Sequence, residues 1–262
     1  MNANNLGSHN GQTHNPTPES NTMKATAITL LSLLLFFFVG MARKTKAEET
    51  LTLETHLVPY YLGDLFGIQV NDEYTTQSSA NFRFDISEDA AMSIGGWWSI
   101  PLDGKKNDWG YEIDYSAFYY HSLGEWDIFL GSIYYNLLEG KQVQFQTGVS
   151  RSFDSWTTAL TVYHSEPLTG LSFEGGTHVS FRVSKGIKIT ERMRLNVNTS
   201  LFYDSGVFGL DDGVFLQFTP RMLYDITDSL QFEAGLNVHL PITTNDDRYP
   251  DAGWTIGLRK VF

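Results

Sequence analysis

The stretch that decides the fold is Leu230-Gln231-Phe232-Glu233-Ala234-Gly235-Leu236-Asn237-Val238-His239-Leu240. Every second residue is apolar: Leu230, Phe232, Ala234, Leu236, Val238 and Leu240. Between them stand Gln231, Glu233, Gly235, Asn237 and His239. Successive side chains of a strand point to opposite faces, so this pattern reads as a β-strand with one apolar and one polar face. An amphipathic helix would space its apolar residues three and four apart instead.

The same period runs through the rest of the chain. In Met193 to Tyr203, Leu195, Val197 and Leu201 oppose Arg194, Asn196, Asn198 and Ser200. Val143 to Val149 opposes Gln142, Gln144, Gln146 and Gly148. In Trp109 to Tyr119, Tyr111, Ile113, Tyr115 and Ala117 oppose Glu112, Asp114 and Ser116. The alternation predicts twelve strands, near 51–59, 79–87, 91–101, 109–121, 125–138, 141–153, 156–165, 173–185, 192–203, 213–226, 229–241 and 252–262. Many are longer than the about five or six residues of a soluble sheet and match the about 9–11 of a tilted membrane-spanning strand.

The connections alternate in length. Ser87-Glu88-Asp89-Ala90, Ser122-Leu123-Gly124, Asp154-Ser155 and Thr227-Asp228-Ser229 are short turns. The links Tyr60 to Ser78, Leu102 to Asp108, Glu166 to Ser172, Asp204 to Asp212 and Pro241 to Asp251 are longer. Glu139-Gly140 is short where a long link is due, and Ile187 to Glu191 departs mildly the other way. Short turns on one side and long loops on the other are the habit of antiparallel membrane barrels. The expected fold is therefore an all-β antiparallel transmembrane barrel of about twelve strands, with both termini periplasmic.

The apolar run Ala25 to Met41 follows Lys24 and precedes Ala47. That is a signal-peptide layout over residues 23–47, with cleavage after Ala47 or after Ala42. A transmembrane anchor is the alternative, because Arg43, Lys44 and Lys46 follow the run and its length is near the lower limit for a span. Residues 1–22 are polar and read as a disordered extension or a misassigned start, with Met23 as the natural one. Residues 48–262 are then the barrel.

Composition agrees. The chain of 262 residues is 42% hydrophobic and 14% aromatic, yet its mean hydropathy is slightly negative, too polar for a helical membrane protein. The net charge of −12 argues against nucleic acid as a partner. No cysteine is present, which excludes disulfides, thiolate metal sites, a Cys nucleophile and a lipid-attachment Cys.

The last strand sets Trp254, Ile256, Leu258 and Phe262 on one face. Alternating apolar residues with a terminal Phe resemble the insertion signal of Gram-negative outer-membrane β-barrel proteins. Lys260 departs from that pattern, although a lysine can snorkel at the interface. The resemblance covers the general pattern of residues 51–262 and implies bacterial outer-membrane localisation, outer-membrane lipid as surroundings and recognition by the barrel-assembly machinery. It is porin-like and names no subfamily. Aromatic residues near strand ends, Trp109, Trp126, Trp156, Tyr203, Tyr224, Trp254 and Phe262, suit the headgroup level. A soluble sandwich or lipocalin-like barrel is the alternative fold, but it would use shorter strands.

With the apolar face toward lipid, the other face lines the lumen. The pore-lining candidates are Arg83, Asp85, Glu112, Asp114, Asp127, Glu174, Arg182, Arg194, Arg221, Asp225, Glu233 and Arg259. The expected function is a channel for ions or small solutes. A non-conducting structural barrel and an adhesion or receptor barrel are the alternatives. An enzyme is disfavoured: His178 and Ser180 have the spacing of an outer-membrane phospholipase pair, with Asn196 and Asn198 on the next strand. Parity, however, turns both side chains inward, away from lipid. The acidic pairs Asp211-Asp212 and Asp246-Asp247 read as solvated loop acids rather than Ca²⁺ or Mg²⁺ ligands. No phosphate loop, HExxH or nucleophile elbow occurs, so neither cofactor nor metal is expected. Register is also predictable: Thr227-Asp228-Ser229 places Leu223 opposite Glu233 and Arg221 opposite Gly235, and aligning Phe262 with Leu230 places Arg259 opposite Glu233. Glu233 is thus expected between Arg221 and Arg259.

Overall fold

The computed structural model describes residues 49–58, 61–63, 68–71, 74–102, 112–137, 140–171, 175–205, 212–244 and 250–262. The signal-peptide expectation falls on residues outside these, as do Trp109, Glu174, Asp211, Asp246 and Asp247.

Alternating sequence becomes strand after strand. In chain order they are β1 (Glu49–Val58), β2 (Tyr61–Gly63), β3 (Ile68–Asn71), β4 (Thr75–Ser87), β5 (Ala90–Pro101), β6 (Glu112–Leu123) and β7 (Trp126–Leu137). Then come β8 (Lys141–Phe153), β9 (Trp156–Thr169), β10 (Gly176–Lys188), β11 (Met193–Ser205), β12 (Gly213–Thr227), β13 (Leu230–Thr244) and β14 (Asp251–Val261). Twelve of them form one closed antiparallel barrel in the order β1-β14-β13-β12-β11-β10-β9-β8-β7-β6-β5-β4. All twelve predicted strands are present. The short β2-β3 hairpin, inside the first long link, is an addition that periodicity did not reveal.

Each barrel strand pairs with its neighbour in sequence, except at the seam. There β1 pairs with both β4 and β14. The main chain of Phe262 clasps Leu51: Phe262 N donates to Leu51 O at 2.9 Å and Leu51 N donates to Phe262 O at 3.3 Å. Closure leaves the barrel without an unpaired edge, the condition for placing strands in lipid. The even strand number brings the two ends of the barrel domain to the same rim as the short turns.

The two faces separate as the alternation requires. Leu160, Phe181, Leu236 and Leu240 are exposed on the outside, Leu236 at 50%. Their neighbours Thr161, Ser180, Asn237 and His239 are buried on the inside. An apolar surface running round the whole barrel would far exceed the patches that soluble monomers tolerate, and lipid is the solvent that suits it.

The turn at Thr227 sets the β12–β13 register as predicted, Leu223↔Glu233 and Arg221↔Gly235. The β13–β14 register departs from expectation. Gln231, not Glu233, lies opposite Arg259, and Glu233 faces Gly257. Leu230 aligns with Lys260, so Phe262 runs past the end of β13. Two contacts hold this register: Val261 N donates to Ser229 O at 2.9 Å, and Lys260 Nζ donates to Ser229 Oγ at 2.6 Å. A shift of two residues preserves which face each side chain takes but moves β14 by about 7 Å along the axis.

Candidate functional site

The inward face divides along the barrel axis. Toward the long links it is packed: Gln142, Gln144, Ser165, His178, Asp204, Phe215 and His239 are all buried. Amide and hydroxyl groups link up here. Tyr135 Oη donates to Gln144 Oε1 at 3.1 Å, Gln146 Nε2 donates to the same oxygen at 2.7 Å, and Gln144 Nε2 donates to Ser165 Oγ at 3.0 Å. Both atoms of the Gln142 amide are buried without a hydrogen-bond partner. Glu112 and Asp114 lie in this half and are buried.

Toward the short turns the face opens. A cavity of about 450 Å³ is lined by Arg192, Arg194, Asp225, Gln231 and Arg259, among others. The charges pair locally. Arg194 lies 3.4 Å from Asp225, which also accepts from Gln231 Nε2 at 2.6 Å. Arg221 pairs with Glu233, largely screened from water. Arg83 reaches Asp85 at 4.0 Å and lies 5.0 Å above the Tyr120 ring. Asp127 accepts from Ser122 Oγ at 2.7 Å beside the turn. Arg182 Nε donates to Ser200 Oγ at 3.2 Å.

Arg259 does not join Glu233. It pairs with Glu54 of β1, its register partner, at 3.1 Å. The expectation that Glu233 sits between two arginines is therefore corrected. Glu233 lies only diagonal to Arg259 across β13 and β14, whereas the seam sets Glu54 directly opposite it. Glu54 itself was missed, although Leu51, Leu53 and Leu57 on the other face of its strand already marked it as inward.

The other omission is a set of inward aromatic rings. Tyr163 stacks on His178 at 4.1 Å, and Phe202 on Phe215 at 4.8 Å. On β6 and β7, Phe118 meets Phe129 edge-on at 6.1 Å. Gly131 makes room for that cluster: a Cβ there would stand 2.1 Å from the Phe118 ring. The signal was present, since Phe202 occupies a polar-face position in an otherwise regular alternation. The lumen is thus partly lined by rings and is narrower than polar residues alone would leave it.

His178 and Ser180 are both inward and buried. The His178 ring is engaged with Tyr163, and neither side chain meets the lipid face. Outside, Trp126, Trp156, Tyr224 and Phe262 ring the short-turn end, while Tyr203 and Trp254 stand toward the other. Arg151 lies 5.3 Å from the Trp126 ring and Lys185 lies 4.4 Å from that of Trp156. Cations over rings at this level suit the headgroup zone.

A closed antiparallel barrel with an apolar belt outside and a hydrogen-bonded, charged interior defines a class: the transmembrane β-barrel. No model of a known family matches the sequence, and no curated protein matches it. Solved structures match the fold. The NanC porin fits with a TM-score of 0.54 at 9% identity, covering 79% of this chain and 98% of its own. The outer membrane channel from Pseudomonas putida F1 fits at 0.51 with 11% identity, covering 85% and 98% respectively. At such identities the likeness is one of fold. The particular protein is thus a twelve-stranded closed barrel that shares its fold with a porin and with an outer membrane channel.

Proposed function

We propose that this chain is a porin-like channel that passes ions or small polar solutes across the bacterial outer membrane. The observation that carries the reading is the inward face. It is rich in amides, hydroxyls and paired charges, and it opens at the short-turn end into a charged cavity. A barrel that served only as an anchor would be better stabilised by an apolar interior, because ion pairs removed from water gain little against hydrophobic packing. The names of the two matching structures, a porin and a channel, support the same reading. The short turns and both barrel ends belong to the periplasmic side, as short connections do in such barrels. The last strand, with Trp254, Ile256, Leu258 and Phe262, serves as the recognition element for the barrel-assembly machinery.

Burial of the long-link half makes the pathway narrow there. Refolded protein in a planar bilayer should give discrete, small conductance steps that vary little with voltage sign. Silence across voltages and salt concentrations would refute the channel and leave a structural barrel.

A further inference from the structure

Among the described residues, the inward arginines are not equivalent. Arg83, Arg194, Arg221 and Arg259 each have a carboxylate within ion-pair distance: Asp85, Asp225, Glu233 and Glu54. Arg182 has none; its one side-chain bond runs from Nε to the neutral Ser200 Oγ. Across the sheet it faces Ser200 on β11 and Ala159 on β9. The inward positions before and after it on β10 are Ser180 and Ser184, and Asn198 is diagonal to it. Hydroxyls, an amide and a methyl surround the guanidinium, and none of them offsets its charge.

Its height in the barrel matters as much. Ser180 and Ser200 are buried, at 1% and 2% exposure, whereas Ser184 and Asn198 are half-buried. Arg182 therefore stands where the open short-turn half meets the packed long-link half. Its terminal nitrogens have no partner among the described residues.

We propose that Arg182 is an anion-binding residue of the lumen. It holds a small carboxylate or inorganic anion at the floor of the open half and so favours anion passage. The guanidinium fork matches two carboxylate oxygens, and Ser184 and Ser180 add hydroxyl donors within reach. The paired arginines leave little net field at a distance, so Arg182 dominates its own section of wall although the whole chain carries −12. The inference rests on the channel reading only for its effect on transport.

The test compares wild type, Arg182→Gln and Arg182→Lys, each refolded and checked for heat-modifiable migration. Reversal potentials in a KCl gradient give the chloride-to-potassium permeability ratio. Arg182→Gln should lower that ratio by about two- to fourfold, and Arg182→Lys should retain most of it. A ratio unchanged in Arg182→Gln overturns the proposal. If wild type does not conduct, calorimetric titration of the detergent-folded barrel with citrate decides. Binding lost in Arg182→Gln then upholds the anion site while the channel reading fails. Equal or absent binding in both overturns the site as well.

Discussion

Replacing Glu233 by Gln removes a charge from the lumen wall with almost no change in volume. Glu233 holds Arg221 in a pair of which 12% and 25% of the side chains remain exposed. The space is defined by Gly235, opposite Arg221, where a Cβ would lie 2.9 Å from Arg221 Cγ and 2.8 Å from Pro220 O. Glutamine keeps one acceptor oxygen, so the arginine retains a hydrogen bond but loses its counter-charge. Weakening a charge-assisted bond of this partial exposure should cost about 1–2 kcal/mol. The effect on ions follows from the barrel's size. Twelve tilted strands about 4.8 Å apart give a wall radius of about 12 Å, which leaves a passing ion about 6 Å from an inward guanidinium. In water, charges at that separation interact by about 0.7 kcal/mol, and 0.1 M salt roughly halves this. Anions gain about twofold and cations lose as much, so the anion-to-cation ratio should rise by up to about fourfold. Reversal potentials of Glu233→Gln against wild type read this directly, and urea unfolding in lipid vesicles reads the stability. An unchanged ratio, or a shift toward cations, would refute the placement of Arg221 and Glu233 on the conducting path.

Deleting Phe262 removes the main-chain clasp to Leu51 at the seam. It should reduce the yield of heat-modifiable, membrane-inserted barrel far more than deleting residues 1–22; equal yields would show that the seam closes without it. Gly131→Ala would press a methyl into the Phe118 ring and the Ala117 carbonyl. It should destabilise the folded barrel by about 1–3 kcal/mol, measured as a lower urea midpoint; an unchanged midpoint would mean that the inward aromatic cluster is loosely packed.

Local pattern determined most of the fold. A strand's side chains alternate whatever surrounds it, so Gln142, Gln144 and Gln146 could be assigned inward from Val143 and Phe145 beside them. A tight turn carries register with it, which is why Leu223↔Glu233 and Arg221↔Gly235 were legible across Thr227 to Leu230. Between β13 and β14 the connection is long and transmits no register. A two-residue slip there leaves every face unchanged, so no hydrophobic pattern opposes it. Only closure chose between the alternatives: β14 must meet β1 as well as β13, and the contacts of Phe262 with Leu51 and of Val261 with Ser229 fix its height. The partner of Arg259 was settled by that closure. Arg259 is matched by a strand from the other end of the chain, and a sequence read along one dimension does not say that Glu54 will arrive beside it.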